Sequence, residues 1–234
     1  SSASIDVITS GASEYTEERK EYSADISLLN EKSSINVGYT NSDESDYTAD
    51  SFRMDISQDF FGDQLTASMG YSQADDEVRK NGVPEFKEEV KRRHYRAGLS
   101  WILTKSNYIS VNYEAITDEG YLNNPYREVR FEDPFTRINE PELYPHTRNS
   151  DAYSVKFAHH LPWPGAIKSR VSYFSDSWSI NAYSIELEYS HKLSEHFIVD
   201  VRTRYYAQDQ AEFYRDVFPN TTSADSFKAR DKEL

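Results

Sequence analysis

From Ser184 to Tyr206 the chain reads "SIELEYSHKLSEHFIVDVRTRYY". Ile185, Leu187 and Tyr189 alternate with Glu186, Glu188 and Ser190. After a polar break at 192–196, Phe197, Val199, Val201, Thr203 and Tyr205 alternate with Ile198, Asp200, Arg202, Arg204 and Tyr206. Successive side chains of a strand point to opposite faces, so this alternation predicts two strands with one apolar and one polar side. The same pattern over 22–28, 35–40, 52–57, 65–72, 95–103, 109–114, 153–157 and 170–173 brings the total to ten.

The connections carry a second pattern. Short breaks fall at 30–32, 61–64, 105–107, 162–165 and 192–196, and longer ones at 41–50, 73–91, 117–151, 175–181 and 208–226. Short and long alternate without exception, so an up-and-down sheet would carry tight turns at one end and loops at the other. That asymmetry, with apolar-out and polar-in strands, predicts an all-β fold, an antiparallel up-and-down transmembrane β-barrel with at least ten strands in this chain and a single domain over 1–234. In hydrocarbon every backbone amide needs a partner, and a sheet meets that demand only by closing on itself. The charged residues expected to face the lumen are Asp25, Arg53, Asp55, Arg96, Glu114, Lys156, Arg170, Glu186, Glu188, Asp200, Arg202 and Arg204. The competing reading is a soluble antiparallel barrel or sandwich, a binding protein with the apolar face inside, since alternation alone does not say which face is buried. The turn asymmetry and the strand number weigh against it.

Composition narrows the chemistry. Mean hydropathy is −0.80, with 18 Tyr and 2 Met among 234 residues, so apolar burial is confined to one residue in two along the strands. The absence of Cys excludes disulfides, thiol catalysis and zinc–thiolate sites. No run approaches 18 apolar residues, which excludes helical spans. The formal charge of −14 sits entirely in the five longer connections, an acidic rim that favours cations and disfavours nucleic acid. There is no G-x-S-x-G, G-x-G-x-x-G or Walker motif, and the expectation is a non-enzymatic protein.

Glu186 and Glu188, with Glu114 and Asp200 nearby, form a carboxylate cluster able to hold a cation or move a proton. The commoner role of such a cluster is pairing with Arg96, Arg170, Arg202 or Arg204. Two oxygen-rich stretches, Asp43, Glu44 and Asp46 in "NSDESDYTAD" and Asp75, Asp76 and Glu77 in "ADDE", raise loose Ca²⁺ binding as an expectation, against the plainer reading of solvated acidic loops. The six His lack metal-ligand spacing and are read as structural. The longest connection, with Arg127, Arg130, Arg137 and Arg148, is expected either to fold into the mouth and pair with lumen carboxylates or to form an ordered surface loop.

Five stretches, "SEYTEERKEYS" (13–23), "ITDEGYLNNPYREVRF" (116–131), "YPHTRNSDAYSVKF" (144–157), "FYRDVFP" (213–219) and "ARDKEL" (229–234), resemble a family of bacterial proteins of unknown function predicted to form outer-membrane barrels. The resemblance implies a place in the outer membrane of a Gram-negative bacterium, with lipid and lipopolysaccharide as partners. It also implies further strands at both ends and an even total. Family genes lie near flavin-transfer and thioredoxin-like genes, which implies a docking barrel or sleeve for a periplasmic redox protein as an alternative role. No cofactor is implied.

Overall fold

The computed structural model describes residues 18–133, 135, 137–232 and 234. The first five residues of the 13–23 motif and Glu233 of the last one lie outside them. Ten strands form one antiparallel sheet in chain order: β1 (Lys20–Asn30), β2 (Ser33–Asp43), β3 (Tyr47–Phe60), β4 (Leu65–Lys80), β5 (Val83–Thr104), β6 (Asn107–Gly120), β9 (Thr147–His160), β10 (Gly165–Asp176), β11 (Asn181–Ser194) and β12 (Phe197–Gln208). Two short strands, β7 (Glu128–Val129) and β8 (Glu140–Pro141), pair with each other inside the connection between β6 and β9. All ten expected strands are present in the expected order. β1 and β12 are the two edges; they do not pair, so the sheet is open.

Two of the expected long loops are instead strand. The stretch 41–50 holds only the turn between β2 and β3, and 73–91 is a hairpin that turns at Asn81–Gly82. There β4 and β5 stay in register from Gln73↔Arg93 to Arg79↔Lys87. The ladder is made by backbone groups and needs no alternation of side chains. With polar residues on both faces, the pattern vanishes while the hydrogen bonds continue. β5 alone, at 22 residues and roughly 3.3 Å each, reaches about 70 Å, well beyond the 9–11 residues that cross a bilayer.

Register sorts the side chains by face. Val111, Val155, Val171, Ile185 and Tyr205 lie in one row across β6, β9, β10, β11 and β12. Two residues toward the loop end, Tyr113, Tyr153, Tyr173 and Tyr183 form a second row. Both rows are exposed. Ile185, Leu187 and Val201 are 51%, 47% and 60% accessible, so the apolar face encloses no core, and the soluble reading loses its central requirement. The buried apolar residues lie elsewhere. Tyr144, Trp178, Ile180, Ala211, Phe213 and Ala229 pack together at the loop end, where residues 121–146 meet residues 209–234. These two segments form a cap. Its backbone joins run from Leu143 N–H to Lys228 O at 3.0 Å and back from Lys228 N–H to Leu143 O at 2.8 Å. A parallel bridge joins Phe131 to Phe218.

β6 enters the cap through Gly120, whose φ is +120°. A Cβ there would stand 2.1 Å from the Glu89 carbonyl oxygen. Gly120→Ala should therefore cost about 1–3 kcal/mol. The expected readout is faster proteolysis within 121–146, with strand content by circular dichroism unchanged.

Candidate functional site

The polar face is the candidate site, and the twelve charged residues expected on it all lie there by register. Asp25, Gly38 and Arg53 stand side by side on β1, β2 and β3, and Asp55, Gly70, Arg96 and Glu114 on β3, β4, β5 and β6. Each aspartate bonds the arginine two strands away, Asp25 Oδ1 to Arg53 Nη2 and Asp55 Oδ1 to Arg96 Nη2, both at 2.8 Å. Two strand spacings are about 9–10 Å, so the partners meet only by crossing over the glycine between them. A Cβ at Gly38 would lie 2.3 Å from Asp25 Oδ1, and one at Gly70 2.3 Å from Asp55 Oδ1 and 2.8 Å from Arg96 Nε. The two Asp–Gly–Arg bridges stitch three strands each. His94 Nε2 sits 2.8 Å from Glu114, which extends the chain of contacts to β6.

On the other half of the sheet, Glu188 is held between Lys168 Nζ at 2.8 Å and Arg202 Nε at 3.0 Å, and Ser190 Oγ donates to Asp200 at 2.5 Å. The carboxylate cluster expected from Glu114, Glu186, Glu188 and Asp200 is thus split, with Glu114 on His94, Glu188 on Lys168 and Arg202, and Asp200 on Ser190. Lys156, Arg170, Glu186 and Arg204 form one register row on β9 to β12. Pairing with neighbouring cations was the commoner expectation, and it holds for Glu188. Lys168 escaped sequence reading because alternation in β10 was traced only from Arg170; the apolar Ile167 beside it was the available signal.

The six residues expected at Ca²⁺ loops are dispersed. Asp43 accepts from Thr48 and Arg79, and Asp46 from Tyr126. Glu44 pairs with Arg19, Asp75 accepts from Gln73, and Glu77 pairs with Arg79 and Lys87. Asp76 is buried against Tyr47 and Arg92. Among the described residues no group of three or more His, Cys, Asp or Glu is placed to hold a metal ion. In β4 strand geometry sends Asp75 and Asp76 to opposite faces, and in the turn between β2 and β3 Glu44 and Asp46 are each taken by a different partner.

The cap closes over the loop end of the polar face. Asp176, at the end of β10, organises this junction. Its Oδ1 accepts the backbone N–H groups of Trp178 and Ile180, both at 2.9 Å, and its Oδ2 accepts from Arg148 Nε at 2.7 Å. The Arg148 guanidinium lies 4.6 Å from the Trp178 ring. Trp178 meets Phe213 edge-on at 5.3 Å and Tyr144 at 5.6 Å. Of the four arginines of the long connection, expected either to pair with carboxylates of the polar face or to sit in an ordered surface loop, Arg148 alone among the described residues reaches that face, through Asp176. Arg127 pairs with Asp231 and Arg137 with Glu140, both inside the cap, and Arg130 adds a backbone carbonyl that accepts from Phe218. The cap's key ion pair is Lys228 Nζ to Glu140 Oε2 at 2.6 Å, with Lys228 buried. The hydrogen bond from Lys228, reinforced by Arg137, holds the Glu140 carboxyl below the usual glutamate range. Burial, then the Glu142 carboxylate, pushes the Tyr144 phenol well above the ordinary tyrosine value. No sequence signal marked the packing of Trp178 on Tyr144 and Phe213 or the pair Lys228–Glu140, because these partners lie far apart along the chain. Beneath the cap, a cavity of about 630 Å³ opens on β6 and β9–β12, and one of about 430 Å³ lies against β4–β6.

An open, up-and-down antiparallel sheet of ten long strands with unlike faces belongs to the fold class of outer-membrane barrel walls. The chain belongs to the family described as "Protein of unknown function (DUF3570)", which matches residues 7–231. Among solved structures it is similar to an anion-selective porin from Comamonas acidovorans, with a TM-score of 0.56 at 14% identity over 80% of this chain and 49% of that one. It is also similar to a loop L8 deletion mutant of OmpT, an outer membrane protein of Vibrio cholerae, with a TM-score of 0.53 at 13% identity over 81% of this chain and 57% of that one. The chain thus spans about half the length of these structures, and the likeness is one of fold. No curated protein matches its sequence.

Two outcomes follow from this geometry. Gly70→Val should force Asp55 and Arg96 apart and cost about 1–3 kcal/mol in reversible urea unfolding of the full-length protein, whereas Ser72→Val on the same strand and face should cost less. Because the Glu140 carboxyl is depressed, its contribution to cap docking is fully present above the ordinary glutamate value of about 4.3 and is lost as pH falls through the lower, folded value. Hydrogen exchange in 209–232 should therefore show a looser cap at about pH 3 than at about pH 6. Glu140→Gln should loosen it at both and remove most of the difference.

Proposed function

We propose that this chain builds part of the wall of a closed, non-enzymatic outer-membrane β-barrel in a Gram-negative bacterium. The barrel acts as a narrow channel, with its polar face toward the lumen and its cap seated in the extracellular mouth. The observation that carries the channel reading is the cap: two segments from different parts of the chain pack on the polar side of the sheet, around Trp178 and Ile180, rather than folding away from it. Several features support the membrane setting. A continuous exposed apolar face is a liability in water and a requirement in lipid. Edges left unpaired at β1 and β12 are where further strands would close the ring.

The tyrosine row fits an interfacial girdle. Tyr113 donates to Asp151 at 2.6 Å and Tyr173 to Asn181 at 2.9 Å, both partners toward the loop end, which puts the phenol oxygens on the wet side. Trp163 and Tyr189, joined at 3.3 Å, stand at the turn end and fit the opposite girdle. The partners on the apolar face are then membrane lipid and lipopolysaccharide, and the acidic rim belongs to the extracellular end. One structural neighbour is named as a porin, in line with this reading.

The test is conductance of the full-length protein in planar lipid bilayers. The intact protein should give small unitary currents. Phe213→Ala, which removes about 3–5 kcal/mol of packing from the cap, should raise them. Insertion without conductance in both forms would replace the channel by a scaffold or sleeve, the role in which docking of a periplasmic redox protein is the next question.

A further inference from the structure

The 630 Å³ cavity has an internal order that the channel reading does not use. Three register rows of β9–β12 face into it, each displaced by two residues, or roughly 6–7 Å along the strands. Farthest from the cap is the row Lys156, Arg170, Glu186 and Arg204. Next come Ser154, Ser172, Ser184 and Tyr206, with Asn112 of β6 beside Ser154. Nearest the cap are Ala152, Phe174, Ala182 and Gln208, with Ile180 and Leu234 over them.

The charged groups around this space are not equivalent. Arg148 is neutralised by Asp176, and Glu114 is engaged by His94. Among the described residues, Lys156, Arg170 and Arg204 make no ion pair, although Lys168 and Arg202 one row away both bond Glu188. Arg204 rests against the Tyr206 ring at 5.5 Å, which leaves its donors free. Glu186 lies in register between Arg170 and Arg204 as the one carboxylate against three cations. A partly enclosed cavity whose floor carries three cations to one carboxylate, with a middle belt of hydroxyls and an apolar roof, has the polarity of a particular guest.

We infer that this cavity binds a small amphipathic organic anion, its acid group on Lys156, Arg170 and Arg204, its middle against the serine hydroxyls, and its apolar body against Phe174, Ile180 and Ala182. Two or three charge-assisted bonds from Arg and Lys orient the acid group, and the apolar roof favours a guest with an apolar body over a small inorganic ion. The size of the cavity lies within the usual range for small-molecule sites. The acidic rim does not oppose this. At physiological salt its field decays over about 8 Å, and the cationic row is two residue pairs deeper than the roof. The site rests on the reading of the polar face as the inside of a barrel, but binding is measurable without ion flow.

The test is isothermal titration of the full-length protein in detergent with 2-naphthoate, using 2-naphthalenemethanol and acetate as probes that lack the charge and the apolar body. Naphthoate should bind, with the neutral alcohol and acetate each about tenfold weaker or worse. The double substitution Arg170→Gln with Arg204→Gln should weaken naphthoate by at least about tenfold. Lys156→Gln alone should weaken it by less. Ser184→Leu, which fills the middle belt, should abolish it. Unchanged thermal unfolding of the variants keeps the comparison valid, and Lys156→Gln serves where the double variant does not fold. Absence of naphthoate binding, or binding indifferent to all three changes, overturns the site. Conductance without naphthoate binding keeps the channel and removes the site; binding without conductance keeps the site and removes the channel.

Discussion

Everything in this structure depends on an uninterrupted antiparallel register. From Lys20↔Asp43 at one edge to Ala182↔Gln208 at the other, each strand continues the pairing of the last, so parity along the chain fixes the face of every side chain. The register shifts lie next to turns, at Arg79/Lys80, Ile102/Thr104 and Lys192/Ser194, where an extra residue is absorbed without changing the faces of the strand beyond it. A slip of one residue in the middle of any strand would carry its arginines and glutamates to the apolar face and its valines to the polar one. Because both faces are specified so strongly, the sheet resists that error, and the chemistry of the polar face can be read as rows.

Those rows are electrically uneven. On β1–β6 the polar face carries the carboxylates Asp25, Asp55, Asp76, Glu114 and Asp118, with Arg53 and Arg96 drawn into the two bridges over glycine and Arg92 set between Asp76 and Asp118. On β9–β12 the balance reverses, with Lys156, Lys168, Arg170, Arg202 and Arg204 against Glu186, Glu188 and Asp200. The acidic half spends its cations on stitching strands together. Among the described residues the basic half keeps three of its own without an ion pair, and the cavity lies there. Strand-stitching ion pairs and the proposed binding site thereby fall on different parts of one surface.

How far the sequence was legible follows from the same division. Where the faces differ, as in Ile185–Glu186–Leu187–Glu188, alternation is visible in one strand and predicts its neighbours. Where both faces are polar, as in "QADDEVRK" at 73–80, no alternation exists and the pattern predicts a loop where the structure has strand. The signal that would have corrected this was present: Asn81–Gly82 is the dipeptide of a tight hairpin, and Gly82 has a φ of +82°. The charged residues of the polar face were legible by parity, but their partners were not. An Asp–Arg contact across a glycine two strands away depends on register, which no single strand encodes. The cap was illegible for a stronger reason. Lys228 and Glu140 are 88 positions apart with no periodic pattern between them. Only the folded sheet brings 121–146 and 209–234 to the same end.

The two cap segments flank β9–β12 in sequence, so the cap assembles only when those four strands are paired. Its link to the sheet is concentrated at Asp176. One oxygen of this carboxylate closes the β10–β11 hairpin, and the other holds Arg148, whose guanidinium lies against Trp178 and, at 5.9 Å, Phe174. Trp178 belongs to the cap core, and Phe174 both packs against that core and roofs the cavity. A displacement of the cap large enough to open the mouth must therefore move Trp178, and with it the Arg148–Phe174 contact that shapes the apolar end of the cavity. The interiors of packed clusters are stiff and transmit such shifts rather than absorbing them. On the proposed channel and cavity readings, opening of the cap and occupancy of the cavity are one equilibrium seen from two sides, and a guest that fits only the closed roof would stabilise the closed cap by its differential affinity for the two states.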